Sequence, residues 1–118
     1  MSRKTVGIML DWIEENLEND AALEAMARHV GYSAFYCSSK FHQYTGLSFK
    51  AYLLGRRLDT AACRLLTSQT NILDIALRYG FSSQEAFTRA FRKAYGLPPG
   101  QFRLQKPIYS PFERLRLD

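Results

Sequence analysis

"GYSAFYCSSKFHQYTG" (residues 31–46) and "GFSSQEAFTRAFRKAYG" (residues 80–96) are two versions of one segment, and their likeness decides the fold. Each opens Gly-aromatic-Ser, passes a Phe and closes on Gly. The match extends outward. Leu23, Met26 and Ala27 correspond to Ile72, Ile75 and Ala76 at an offset of 49, as Gly31, Tyr32 and Ser33 do to Gly80, Phe81 and Ser82. One residue is inserted at the start of the second copy. From there the offset is 50, pairing Phe41 with Phe91, Gly46 with Gly96, Leu47 with Leu97 and Tyr52 with Phe102. Internal repeats of this length mark a repeated supersecondary unit. Each copy reads as a short helix, a Gly-bearing turn and a longer helix, the plan of a helix-turn-helix.

Around the repeat the chain keeps a helical period, and no alternating strand pattern interrupts it. The spacing predicts a first helix over about residues 4–18, with Val6, Met9 or Leu10, Ile13 and Leu17 on one stripe and Trp12 beside them in the core. A second helix follows Asp20 and carries Leu23, Met26, Ala27 and Val30 to a Gly31 stop. Ser33 is placed to cap a third helix over 34–45, and Ser48 a fourth over 49–66. The apolar face of the fourth uses Phe49, Tyr52, Leu53, Leu58, Ala61 or Ala62, Leu65 and Leu66. Gly55 costs that helix about 1 kcal/mol. A fifth helix covers 72–79 with Ile72, Ile75 and Ala76 inward and Gly80 as its stop. Ser82 with Glu85 reads as a capping box opening a sixth over 83–95. "GLPPGQFRLQ" supplies Pro at the start of a last short helix. The expected architecture is all-α, with seven helices: an N-terminal helix-turn-helix subdomain (1–48), a linker helix (49–66), a C-terminal helix-turn-helix subdomain (67–105) and a tail or linker (106–118).

Composition narrows the function. The 118 residues are 47% hydrophobic with 23% charged, which suits one domain or two very small ones. The net charge is +5, unevenly spread: residues 1–31 hold three Lys/Arg against six acids, the remainder thirteen against five. A basic body behind an acidic first helix suits a polyanion on one face, and equally a basic soluble surface. No apolar run is long enough for a membrane span. Cys37 and Cys63 lack CxxC spacing and sit among apolar helical positions, as reduced core cysteines do. Two His and two Cys without ligand spacing give no metal site. There is no phosphate loop or activated nucleophile, so neither an enzyme nor a cofactor is expected.

Helical spacing separates frame from display. In the third helix Ala34, Cys37, Phe41 and Tyr44 face inward, and Phe35, Ser38, Ser39 and His42 face out. In the sixth, Phe87, Phe91 and Ala94 or Tyr95 face inward, and Glu85, Thr88, Arg89 and Arg92 face out. One frame with two sets of outward letters is what two readers of different base pairs require. Arg89 is the leading base reader, able to hold guanine bidentately. Gln84 suits adenine or a helix start, Glu85 the cap or a base, and Thr88 a methyl or a phosphate. Phe35 can meet a thymine methyl, and Ser38 and Ser39 base edges or phosphates. Ser33, Lys40, His42, Ser83, Arg92 and Lys93, with Ser48 and Arg103, are phosphate candidates. Arg56 and Arg57 suit ion pairs with acids of the first helix, and His29 the surface. A linker helix of about 18 residues spans ~27 Å. With the width of its flanking domains it can set two readers one duplex turn, ~34 Å, apart.

Over about residues 5–104 the chain resembles the DNA-binding region of the AraC/XylS family of bacterial transcription regulators, and within it the MarA/SoxS/Rob branch. "ILDIALRYGFSSQEAFTRAFRKAYGLPPGQFR" (72–103) is similar to the family's "IA…GF…F.R.FK…G..P..YR" pattern, and "LDWIEENLE" and "GYS…F…TG.S…Y" extend it forward. The resemblance implies a monomer on an asymmetric, double-stranded promoter site, recruitment of RNA polymerase, activation and a cytoplasmic location. That branch carries Trp, Gln and Arg at the positions of Phe35, Ser38 and Ser39, so a different promoter box is expected. "PIYSPFERLRL" (107–117) is similar to the linker that leads, in Rob-like proteins, to an effector-binding domain. The competing expectation is a helical protein-interaction module whose basic face meets an acidic partner.

Overall fold

The structure, a computed structural model, describes residues 2–117. Its helices are α1 (Ser2–Glu15), α2 (Leu23–Val30), α3 (Ala34–Thr45), α4 (Phe49–Thr67), α5 (Ile72–Arg78), α6 (Gln84–Tyr95) and α7 (Pro99–Gln105), and no strand occurs among the described residues. The chain divides into two compact units. The first runs to Arg56 and takes back the segment from Arg114; the second is Arg57–Glu113. Each therefore uses part of α4.

Local signals account for the helix ends. Gly31, Gly46, Gly80 and Gly96 all have positive φ, the left-handed conformation that closes a helix and that glycine adopts without a Cβ penalty. Ser33 and Ser48 accept hydrogen bonds from the backbone N–H groups of Tyr36 (3.1 Å) and Ala51 (3.0 Å) as expected of N-caps. α6 differs from expectation. Its cap is Ser83, whose hydroxyl accepts from Ala86 N–H at 3.1 Å, and not Ser82. The cap-to-cap offset from Ser33 is thus 50, which places the inserted residue in the turn itself. α1 ends earlier than its apolar period. The Asn16 side chain donates to the Trp12 carbonyl at 2.8 Å, satisfying a terminal acceptor that the helix leaves open.

In the first unit the core is Val6, Met9, Leu10, Ile13, Leu17, Met26, Ala27, Cys37, Phe41, Phe49 and Tyr52. Both Met9 and Leu10 are buried, so the stripe of α1 is wider than a single row. Trp12 is half-buried. Arg56, only 8% exposed, donates through Nε and Nη2 to the two carboxylate oxygens of Glu14 at 3.0 and 2.8 Å. Removing one member of such a pair would strand the other charge out of water. The Tyr52 hydroxyl, in a fully buried side chain, accepts from Leu115 N–H at 3.0 Å, and Arg114 pairs with Asp11 at 2.7 Å.

The second unit repeats the scheme. Phe91 meets Phe102 edge-on at 5.0 Å, as Phe41 meets Tyr52 at 5.6 Å in the first. The residues paired by the offset of 50 thus make the same T-shaped contact twice, a geometry worth ~0.5–1.5 kcal/mol beyond burial. Of the alternatives at the end of α6, Tyr95 is the half-buried one and Ala94 is exposed. Tyr95 donates to Asp59, which also accepts from Phe112 N–H. Tyr109 packs its ring on Tyr95 and Phe102. Residues 106–117 have no regular secondary structure, yet they supply these packing and backbone partners.

Two expectations fail here. Cys37 is buried, but Cys63 is exposed: it shares α4 with the core residues Ala61, Ala62 and Leu65 but lies off their stripe. Arg103, expected on phosphate, turns inward and donates to the carbonyls of Leu65 (3.0 Å) and Thr70 (2.7 Å). It closes the C-terminal end of α4, where carbonyls lack helical partners.

Candidate nucleic-acid interface

Two helices present the outward letters, and each is anchored from behind. In the first unit Cys37 and Phe41 fix the rotation of α3 by burying its opposite face. This leaves Phe35 84% exposed on the first turn. Ser39 and His42 are exposed further along, and Ser38 is half-buried. Tyr32, in the turn, stacks on Tyr36 at 4.6 Å, a pairing that the repeat alone did not reveal. Lys40 lies 5.7 Å from the centre of the Tyr36 ring and donates to Gln43 at 3.3 Å. Its ammonium is therefore held at the surface, without a carboxylate.

In the second unit Phe87 and Phe91 anchor α6. Gln84, Glu85 and Arg89 are exposed and Thr88 is half-buried. Among the described residues these four line one shallow depression of about 520 Å³. Arg92 and Lys93 are exposed in the last turn. The turn before α6 is also fixed from outside the repeat. A Cβ on Gly80 would lie 2.5 Å from the Arg57 guanidinium, so Arg57 covers this turn. Arg56 is the neighbour that takes the expected pairing with α1. No signal in the sequence separates the roles of these adjacent arginines; in the structure Arg56 is buried on Glu14 and Arg57 is half-buried beside Gly80.

The cap hydroxyls of Ser33 and Ser83 each accept a backbone N–H. Each retains its O–H to donate, so capping and a phosphate contact are compatible. Burial pushes the Cys37 thiol up, keeping it protonated and inert within the frame. Among the described residues no group of His, Cys, Asp and Glu could hold a metal ion, and no helix is long and apolar enough to cross a membrane. The arrangement can offer donors, an acceptor and one apolar ring to base edges, with cations beside them for a phosphate backbone.

Comparison with known proteins places this geometry. A family described as "Helix-turn-helix domain" matches residues 26–105. The multiple antibiotic resistance protein MarA of Escherichia coli strain K12 is 38% identical over 100 residues, covering 85% of this chain and 79% of that protein. A transcriptional regulator of Chromobacterium violaceum, described as AraC-type and DNA-binding, superposes with a TM-score of 0.82 at 28% identity, over 89% of this chain and 94% of its own. The DNA-binding domain of the global transcriptional factor AdpA, solved in complex with a target DNA, superposes with a TM-score of 0.79 at 26% identity, over 85% and 90% of the two chains.

Proposed function

This chain belongs to the AraC-type helix-turn-helix family of DNA-binding transcription regulators, and from that premise we propose that α3 and α6 read successive major grooves of one asymmetric promoter site. Two of its structural neighbours are described as a transcriptional regulator and a transcriptional factor. The observation that carries the reading is the repeat in three dimensions. The buried positions of α3 and α6, Cys37 with Phe87 and Phe41 with Phe91, coincide at an offset of 50, and their displayed letters differ. A protein selected only for packing has no reason to keep two frames alike while diversifying one stripe of each.

In this reading Gln84, Glu85, Thr88 and Arg89 face base edges from α6, and Phe35, Ser38 and Ser39 from α3. Ser33, Lys40, His42, Ser83, Arg92 and Lys93 hold phosphates. α4 has 19 residues and a length of ~28 Å, which suits a target of about two turns read by a single chain, without dimer symmetry. The proposal includes activation by recruitment of RNA polymerase in the cytoplasm, which the family resemblance suggests.

Binding-site selection from a random duplex pool tests the proposal, followed by affinity measurement across salt concentrations. A selected, non-palindromic site should bind ~10³-fold or more tighter than random DNA, with a steep salt slope. A flat slope without any preferred sequence would leave the helical module for an acidic protein partner as the better reading.

A further inference from the structure

Resting on that reading, we infer that Glu85 is a specificity-determining residue that reads a cytosine one or two base pairs from the guanine held by Arg89. The shift of the α6 cap from Ser82 to Ser83 is the starting point. It removes Glu85 from the capping box and leaves its carboxylate exposed in the first turn, on the rim of the depression it shares with Gln84, Thr88 and Arg89. It is the one acid in residues 80–96, which also carry Arg89, Arg92 and Lys93. A carboxylate on a helix facing DNA is repelled by phosphates, so it weakens binding unless a donor meets it.

The major groove offers two such donors, the amino groups of cytosine and adenine. An ionised carboxylate only accepts. Adenine sets the N7 acceptor beside its amino group, against the second carboxylate oxygen. Cytosine sets no acceptor of its own there. Glu85 therefore selects cytosine and penalises every other base at that position. Four residues separate it from Arg89, ~6 Å along the helix axis, and base pairs are spaced ~3.4 Å apart. The cytosine then lies within two base pairs of the guanine, and Glu85 also lowers affinity for DNA that lacks it.

Site selection is run with the wild-type chain, Arg89→Ala, Glu85→Gln and Glu85→Ala, followed by anisotropy titrations on the selected duplex and on single-base variants. The wild-type site should contain a cytosine within two base pairs of the guanine that Arg89→Ala loses. Replacing that cytosine should weaken wild-type binding by roughly 5- to 100-fold. Glu85→Gln should retain the guanine while losing the cytosine preference or moving it to adenine. Glu85→Ala should bind random duplex several-fold tighter than wild type. A cytosine preference unchanged in Glu85→Gln overturns the inference, as does a site with guanine but no neighbouring cytosine. In either case the carboxylate serves only the N-terminal dipole of α6. Failure of the wild-type chain to select any sequence overturns the DNA-reading proposal itself, a result distinct from these two.

Discussion

Arg89 and Arg103 are both arginines on helices of the second unit, and their surroundings give them opposite roles. Arg103 holds two backbone carbonyls. Its replacement by Ala should lower unfolding stability by about 1.5–3 kcal/mol, read from the denaturant midpoint, because hydrogen bonds from a charged donor are lost. Arg89 is exposed. Its replacement by Ala should leave stability within ~0.5 kcal/mol and cost ~1–3 kcal/mol of discrimination at one base pair. If Arg89→Ala weakened every duplex equally, Arg89 would be a phosphate contact. The cysteines divide in the same way. Cys63 should react with a thiol reagent in the native protein, and Cys37, buried with its thiol pushed up, only on unfolding; two equivalents reacting at once would contradict the packing of α3. Tyr52 extends the argument to pH. Burial is the main cause that raises its phenol, assisted by Glu14 and opposed by the Leu115 hydrogen bond, Arg56 and Arg114. The folded state thus favours the neutral phenol. This contribution is full below the unfolded value near ~10 and is lost as pH rises through the folded one. Tyrosinate absorbance should show Tyr52 ionising above the ordinary phenol range, accompanied by loss of stability.

At the scale of elements, the ends of α3 and the start of α4 were legible because single residues decide them. Ser33, Gly46 and Ser48 have no neighbours of the same type competing for the position. At α6 two serines are adjacent, and pattern alone favoured Ser82 because Glu85 stands three residues later. The backbone decides for Ser83, which is extended at φ −157° and ψ 162° and receives the Ala86 N–H. Ser83→Ala should therefore cost about 0.5–2 kcal/mol, and Ser82→Ala less than ~0.5 kcal/mol, by thermal or denaturant unfolding. Equal effects would mean that the cap is shared. The display stripes were legible for the same reason as the core: rotation of a helix follows from which face is apolar. Arg103 and Cys63 were not, since each lies at the edge of its stripe, where spacing admits both inward and outward placement.

At the scale of the whole molecule, charge is the property that the sequence states most openly, and folding determines how much of it remains available. The net +5 includes cations already engaged within their own units: Arg56 on Glu14, Arg114 on Asp11 and Arg103 on carbonyls. Residues 106–117 add partners that periodicity could not predict, because their backbone N–H groups seek the side chains of Asp59 and Tyr52 and follow no helical repeat. Lys40, Arg89, Arg92 and Lys93 remain as cations on the proposed DNA face. With Arg89 on a base edge and the other three on phosphates, log Kd should rise by ~2.7 per decade of salt. Affinity should then fall by roughly 40-fold between 50 and 200 mM. Arg92→Ala should reduce the slope by about one and leave the selected sequence unchanged. A slope far below this for the wild-type chain would mean that the free cations do not lie along the backbone. An altered consensus in Arg92→Ala would move that residue from grip to reading.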